Sequence, residues 1–473
     1  MSEIAVKDLA AIIRAAQNAA LPDAIVTGIS IDSRTTRPSD CFFAIPGENF
    51  DGHDYVAAAL EKGALCAVVR KDIPGAKKGL LLKVDDTITA LGAFAAWYRS
   101  RMKFTVIAIT GSVGKTTTRH IIAHVLAARF RVFQAPKNFN NNIGLPLTLL
   151  GADRDHRVIV AEIGTNHPGE IEPLTRIASP DIAVITNVYP AHLAGLGSLD
   201  AIIKEKFAIS RGLRPNGLMV VNGRFQPLID NCTNARLSFT TFGQADSCDI
   251  KAQNVTCSDL GSTFTIDAVP VSLPLPGPGN IENTLAAWAV CRQLGLTITD
   301  FACAISTITP PPMRAEMLHI ANIIVISDCY NANPASMQNA LHILSNFAGR
   351  HPDRRPVFIC GDMAELAEQT ENLHAELGRY IARTNLRLLI TVGPAARIVA
   401  QTAQKYADNA LHVESFEDTL DACNDLKKLI KDYDVILVKG SRAAGLESVV
   451  QKLNELFSSK TAGKDEPCLD ERC

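Results

Sequence analysis

The sequence predicts an α/β protein built as three successive domains, and three observations carry that prediction. At 473 residues the chain exceeds what one core holds, and about 150 residues per domain divides it into roughly three. Short, continuous apolar runs alternate with helical periodicity, the pattern of parallel strands covered on both faces. A glycine-rich segment near residue 110 joins one such run to a helix.

Residues 1–103 carry short apolar segments, a turn-rich stretch from Ser30 to Tyr55 and a helical signal over Val56–Lys62, which together read as a small α/β domain. A central domain over 104–312 opens with the β-branched run Phe104–Thr110, bounded by Gly111 and therefore a buried parallel strand. Ile121, Ile122, Val125, Leu126 and Phe130 recur at helical spacing after it. Further strands are RVIVAEI to Ile163, DIAVITNV to Val188 and GLMVV to Val221; Ser238–Leu275 reads as alternating strands, and a helix starts near Asn280. In 313–458 the runs IIVIS, PVFIC, LLITV and DVILV, with helical segments between them, predict a doubly wound, Rossmann-like sheet. Pro310–Pro312 marks that boundary. The charged stretch 459–473 reads as a disordered tail.

Composition narrows the function. Lys plus Arg number 47 against 49 Asp plus Glu, a net charge of −2, so no global basic field draws the chain to nucleic acid or an anionic membrane. Any anionic ligand must be gripped locally. No apolar stretch approaches the roughly 18 residues of a bilayer span. The amino terminus mixes charge into its apolar residues, unlike a secretory leader, so a cytoplasmic location is expected. Twelve cysteines are scattered without a CxxC pair, as buried reduced thiols would be. Cys468 and Cys473, in the tail, receive no role.

The segment Gly111-Ser112-Val113-Gly114-Lys115-Thr116-Thr117 stands between strand and helix, the context of a phosphate-binding loop. Its glycines let backbone N–H groups close on phosphate oxygens, the helix start adds a partial positive end, and Lys115 adds a charge. Thr116 is placed to hold Mg²⁺. Ile109 stands where the longer form of the motif has glycine, so the loop is the shortened version; the alternative is an ordinary glycine-rich turn. Glu162 ends a strand at the same sheet edge and is a metal-ligand candidate, although strand-end carboxylates are commonly only solvated. His192 lies on a loop from that edge. Lys204 and Lys206 fall on a helix capped by Ser198, where composition alone makes both solvated charges.

Together these segments resemble the Mur ligases, ATP-dependent enzymes that extend the UDP-linked precursor of the bacterial cell wall. The resemblance covers about residues 25–455 and rests on TGSVGKTT at Thr110, NFNNNIGLPLTLL at Asn138, EIGTNHPGEI at Glu162 and TNVYPAHLAGLGS at Thr186. DCYNANPASM at Asp328, GDMAELAEQT at Gly361 and LVKGSRAAGLE at Leu437 are similar to the branch that adds D-alanyl-D-alanine to UDP-N-acetylmuramoyl-tripeptide. The Asp-Asn-Pro-Arg motif of the diaminopimelate-adding branch is absent.

The resemblance implies a first domain that binds the uridine nucleotide through Asp32, Ser33, Arg34, Gly47, His53 and Asp54. It implies that Thr116 and Glu162 hold one Mg²⁺, and that Glu162, His192 and a carbamylated Lys206 surround a second. Asn280 and Asn283 match positions near the adenine, with Gly279 standing where the family commonly has histidine. Arg314 matches an arginine that reaches the ATP phosphates, and Asp328 a carboxylate near the ribose. Tyr330, Asn331, Asn333, Ser441 and Arg442 match positions near the incoming dipeptide. The implied activity is ligation through an acyl phosphate by a monomer, with Lys115, Lys206, His192 and Arg314 catalytic. The rivals are a sister ligase adding another amino acid and a nucleotide-dependent switch that ligates nothing.

Overall fold

The computed structural model describes residues 3–16, 21–47, 49–76, 81–136, 138–190, 193–407 and 410–458. The expected tail with Cys468 and Cys473, and the side chain of His192, lie outside the described residues. Ten cysteines are described and all are free thiols.

The amino-terminal unit holds four parallel strands in chain order, Gly28–Ser30, Asp40–Phe43, Cys66–Val69 and Leu81–Lys83. Every residue of the two middle strands is buried, as in a parallel sheet covered on both faces, although Asp40–Phe43 lies within the stretch that reads as turn-rich. The helical signal after Tyr55 forms a helix over Val56–Glu61. A longer helix, Thr87–Arg101, starts where the Asp86 carboxylate accepts the Thr89 N–H and carries the chain to the central unit. Buried Arg99 fastens that junction: it donates to the carbonyls of Ala178, Phe104 and Ser179 and pairs with Asp181 at 2.7 Å.

The central sheet has seven parallel strands in the order Ile250–Lys251, Ser238–Gly243, Leu218–Asn222, Ile182–Ile185, Thr105–Thr110, Val158–Glu162 and Val132–Gln134. From Thr105–Thr110 the chain first builds outward through Val132–Gln134 and Val158–Glu162, then crosses to the other side at Ile182–Ile185. The crevice at that reversal is where open α/β sheets bind ligands. The register sets Ile109 beside Glu162 and Thr110 beside Ile185, so the glycine-rich loop and the Glu162 carboxylate leave one sheet edge together. Helix Lys115–Ala127 packs Ile121, Ile122, Val125 and Leu126 inward against helix Pro278–Gln293. Burying each such side chain stabilises the unit by roughly 1.5–3 kcal/mol. Phe130, read from its spacing as part of the first helix, lies beyond its end.

The expectation of simple alternating strands over Ser238–Leu275 needs correction. Ser238–Gly243 and Ile250–Lys251 extend the parallel sheet, and only Gln253–Cys257, Ser262–Ile266 and Val269–Leu273 form a separate antiparallel sheet. There Phe264, Ile266, Val271 and Leu273 face inward while Thr263 and Ser272 face water, the one true alternation in the segment.

The carboxyl-terminal sheet runs Glu316–Ile320, Ile323–Ser327, Asp434–Lys439, Arg355–Gly361, Leu388–Val392 and His412–Phe416. All neighbours are parallel except the first pair, a hairpin. Glu316–Ile320 was not expected from the sequence, because this edge strand is half-exposed and mixes polar residues into its apolar ones.

Candidate functional site

The glycine-rich loop is held from behind. The Ser112 amide donates to the Asn187 carbonyl at 3.1 Å, the Val113 amide donates to Asn187 Oδ1 at 2.9 Å, and Asn187 Nδ2 donates back to the Val113 carbonyl. Ser112 Oγ donates to the Tyr189 carbonyl. Two of the amides expected to face phosphate are thus engaged by the neighbouring strand end. The donors at the cleft are those of the helix start, Lys115, Thr116 and Thr117, which have no earlier turn to bond to. Gly114 precedes them at φ 86°, and no side chain caps this helix. An uncapped helix amino terminus is an anion site by construction. Lys115 folds back, its Nζ donating to the Gly111 carbonyl at 2.7 Å; burial pulls its pKa down to about 8, opposed by Glu162.

Thr116 Oγ1 lies 3.3 Å from Glu162 Oε2, and the buried Arg119 guanidinium pairs with Glu162 Oε1 at 3.1 Å while also donating to the Ala135 carbonyl. Glu162 is 2% exposed, so it is not the solvated strand-end carboxylate of the alternative reading. Helix Leu199–Phe207 begins at Ser198, whose hydroxyl accepts the Ala201 N–H as expected. Its two lysines differ. Lys204 is exposed, whereas Lys206 is 1% exposed and its Nζ has no hydrogen-bond partner among the described residues. Burial first, and the Lys115 charge second, hold the Lys206 ammonium well below the ordinary lysine range. Among the described residues no three His, Cys, Asp or Glu side chains converge into a ready metal site.

The carboxyl-terminal unit closes over this edge. Arg314 sits between two non-glycine residues in left-handed backbone, Met313 and Ala315. Its Nη2 donates to Thr116 Oγ1 at 3.4 Å, and its guanidinium lies 4.3 Å from the centre of the Tyr330 ring. Arg442 approaches the same ring at 5.9 Å. Tyr330, Asn331 and Arg442, with Asn138 and Glu162, line a cleft of about 650 Å³ that continues into the phosphate loop. Ser441 is buried beside it, its amide donating to the Asp362 carbonyl.

Three family descriptions match the chain: Mur ligase family, catalytic domain, over residues 25–99; Mur ligase middle domain over 109–291; and Mur ligase, glutamate ligase domain, over 313–442. The chain is 33% identical over 437 residues to the UDP-N-acetylmuramoyl-tripeptide--D-alanyl-D-alanine ligase of Bacillus subtilis, covering 91% of this chain and 94% of that one. The Escherichia coli protein of the same name is 33% identical over 442 residues, covering 92% and 95%.

The chain belongs to the Mur ligase family.

Among solved structures, MurF from Acinetobacter baumannii superposes with a TM-score of 0.86 at 28% identity, covering 96% of this chain and 99% of that one. The Thermotoga maritima MurF ligase in complex with ADP gives 0.81 at 26%, covering 92% and 99%.

Several residues expected from the Mur ligase resemblance serve the scaffold. His53 is buried, its Nδ1 donating to Asp51 at 2.6 Å and its Nε2 accepting the Arg70 N–H at 2.9 Å, so it supports its loop from beneath instead of facing a ligand. Asn283 Oδ1 accepts from Thr118 Oγ1, Asn283 Nδ2 donates to Asn280 Oδ1, and Asn280 Nδ2 donates to the Pro276 carbonyl. These amides, expected to be available to adenine, form a chain against the phosphate-loop helix. Asn333 Oδ1 accepts the Ser336 N–H and caps helix Pro334–Arg350. The Asp328 carboxylate pairs with Lys439 and accepts the Ala315 N–H, tying down the Arg314 turn. Arg34, Gly47 and Asp54 are exposed and Ser33 half-buried, on the surface of the first unit.

Sequence reasoning passed over Lys439. It is 1% exposed, pairs with Asp328 Oδ2 at 2.7 Å and donates to the Asn331 carbonyl at 2.9 Å, holding the loop that carries Tyr330. A lysine closing the otherwise apolar strand DVILVK was the available signal.

Proposed function

We infer that this chain is an ATP-dependent ligase that joins D-alanyl-D-alanine to UDP-N-acetylmuramoyl-tripeptide, forming ADP and phosphate in peptidoglycan precursor synthesis. The observation that carries the reading is the shared wall. Lys115, Thr116, Arg314 and Asn331 line both the phosphate-loop pocket and the larger cleft, so a phosphoryl group and a peptide meet there. The named relatives supply the substrates.

A carboxylate does not react with an amine at neutral pH, because its carbon is electron-rich and oxide is a poor leaving group. Phosphoryl transfer to the tripeptide's terminal carboxylate removes both obstacles. Lys115, Arg314 and the amides of the helix start spread the charge of the transferred group. The dipeptide amine attacks the acyl carbon, and phosphate leaves with the C–O electron pair. The central and carboxyl-terminal units both line the cleft, and their closing together over bound substrates would keep water from the acyl phosphate.

The residues fit Mg²⁺: a buried carboxylate and a hydroxyl, Glu162 and Thr116, stand 3.3 Å apart, and both are hard oxygen donors. Thr116 and Glu162 would hold the nucleotide's ion, and Glu162, His192 and carbamylated Lys206 a second. Bound there, the metal supplies positive charge to the phosphate oxygens. The Lys206 carbamate draws support from an amine that is buried, without a hydrogen-bond partner among the described residues, and pushed by burial toward the uncharged form that adds to CO₂ with loss of a proton. The uridine end is assigned to Ser33, Arg34 and Gly47 on the first unit, the dipeptide to Tyr330, Asn331, Ser441 and Arg442, and the working species is a cytoplasmic monomer.

The test supplies ATP, UDP-N-acetylmuramoyl-tripeptide and either D-alanyl-D-alanine or single amino acids, and follows phosphate. Release that requires the dipeptide is the expected result. Release with a single amino acid would assign a sister activity, and release without precursor would make the chain an ATPase.

A further inference from the structure

The amine that attacks must reach a wall already carrying Lys115 and Arg314, and at neutral pH it arrives as an ammonium ion. Two cations repel it, and its proton blocks the lone pair. Something must attract the ammonium and accept that proton. Among the described residues, Glu365 is the carboxylate that lines both the phosphate-loop pocket and the larger cleft. Glu162 and Glu170 line only the cleft.

The backbone around Glu365 is built to present it. Its φ is 63°, a left-handed conformation that glycine adopts freely and glutamate at a cost. Four anchors hold the segment. Ala194 N–H donates to the Glu365 carbonyl at 3.1 Å from the central unit, and Met363 N–H donates to His374 Nε2 at 3.1 Å. Asp362 accepts the Ala396 N–H on its carboxylate and the Ser441 N–H on its carbonyl. The turn, with Ala367 also left-handed at φ 49°, sets Glu365 at the junction of the two cavities.

Resting on the ligase reading above, we propose that Glu365 is the catalytic base for the incoming dipeptide: its carboxylate binds the ammonium at the junction of the two cavities and takes one proton from it. The nitrogen lone pair then forms the C–N bond, the C–O bond to phosphate breaks with its electron pair leaving on phosphate, and the second amine proton departs from the tetrahedral intermediate to the leaving phosphate.

The experiment separates the two half-reactions in the full-length enzyme. With ATP and UDP-N-acetylmuramoyl-tripeptide, hydroxylamine, which is already neutral at pH 7, intercepts the acyl phosphate as a hydroxamate and needs no base. Glu365→Gln should lower kcat for D-alanyl-D-alanine ligation about 100-fold or more, with hydroxamate formation within about twofold of wild type. Glu365→Gly, which relaxes the turn, should show the same split with a thermal midpoint no lower than wild type. Ligation that survives the Gln variant, or ligation and hydroxamate formation that fall together, would overturn the assignment. Absence of hydroxamate from the wild-type enzyme would remove the acyl phosphate itself, and with it both this proposal and the reading beneath it.

Discussion

Arg314 Nη2 donates to Thr116 Oγ1 at 3.4 Å, across 198 residues of sequence and between two separate sheets. The contact puts the cation of one unit on the phosphate loop of another, and Tyr330 stacks under the guanidinium to fix its plane. On the ligase reading proposed above, catalysis needs both units in register. Replacing Arg314 by Ala should lower kcat by about 10²–10³, as loss of a transition-state charge contact does, and leave the thermal midpoint within experimental scatter. Steady-state kinetics with a melting curve check both halves; an unchanged kcat would separate Arg314 from the chemistry.

Gly114 is the second sensitive point. Its φ of 86° costs any other residue about 1–2 kcal/mol, and an added Cβ would run into Asn283 Oδ1. Asn283 is itself bonded to Thr118 and Asn280, so it has little room to move. Gly114→Ala should destabilise the fold by about 1–3 kcal/mol and weaken ATP binding at least roughly tenfold. Calorimetric titration with a non-hydrolysable analogue reads the second effect.

These two sites were not equally readable beforehand. The phosphate loop is local: glycines, lysine and threonines within seven residues, between a buried strand and a helix. Thr105–Thr110 was equally plain, because burial on both faces leaves no polar interruption. Arg314 and Lys206 carry no local mark and entered only through resemblance, since a lone arginine after a proline run and a lysine on an amphipathic helix look ordinary until tertiary packing surrounds them. Asn187, Lys439 and Glu365 were missed for the same reason. Each acts on a segment far away in sequence, Lys439 on a loop 111 residues before it, and no pattern of spacing encodes such a meeting.

At the other end of the molecule, Asp32 grips Arg34 through its N–H, Nε and Nη2, and this side-chain contact is the main cause of the Asp32 carboxyl falling to about 2. The guanidinium is 86% exposed yet held in one orientation. A fixed, accessible fork suits a diphosphate. Arg34→Ala should raise KM for the UDP precursor roughly tenfold with little change in KM for ATP. The opposite pattern would move the uridine end away from this face.

His374 sets an acid limit on stability. Its Nε2 accepts the Met363 N–H while Nδ1 donates to the Thr370 carbonyl, an arrangement only the neutral ring can make. Burial accordingly lowers its pKa below the ordinary 6.5. The folded state thus binds fewer protons than the unfolded one. The stabilisation is complete above pH 6.5 and is lost as pH falls below it, by up to about 1.4 kcal/mol per unit. Urea midpoints at pH 7.5 and 5.5 should differ more for wild type than for His374→Gln, which keeps a donor and an acceptor without the titration. Equal differences would sink the idea.

Lys206 separates stability from function most sharply. The buried Lys206 Nζ makes no hydrogen bond among the described residues to offset its desolvation, which costs about 1–3 kcal/mol. Methionine has similar length and no polar atom, so Lys206→Met should match or exceed wild type in thermal midpoint when both are prepared without bicarbonate. Activity should nevertheless fall more than about 100-fold, because the anion that a carbamate would supply is missing. Lys206→Ala leaves a cavity instead, and small carboxylates such as formate or acetate should enter it and restore part of the rate. A lysine that only packed would give the reverse pattern: Met active, Ala unstable, and neither responsive to added carboxylate.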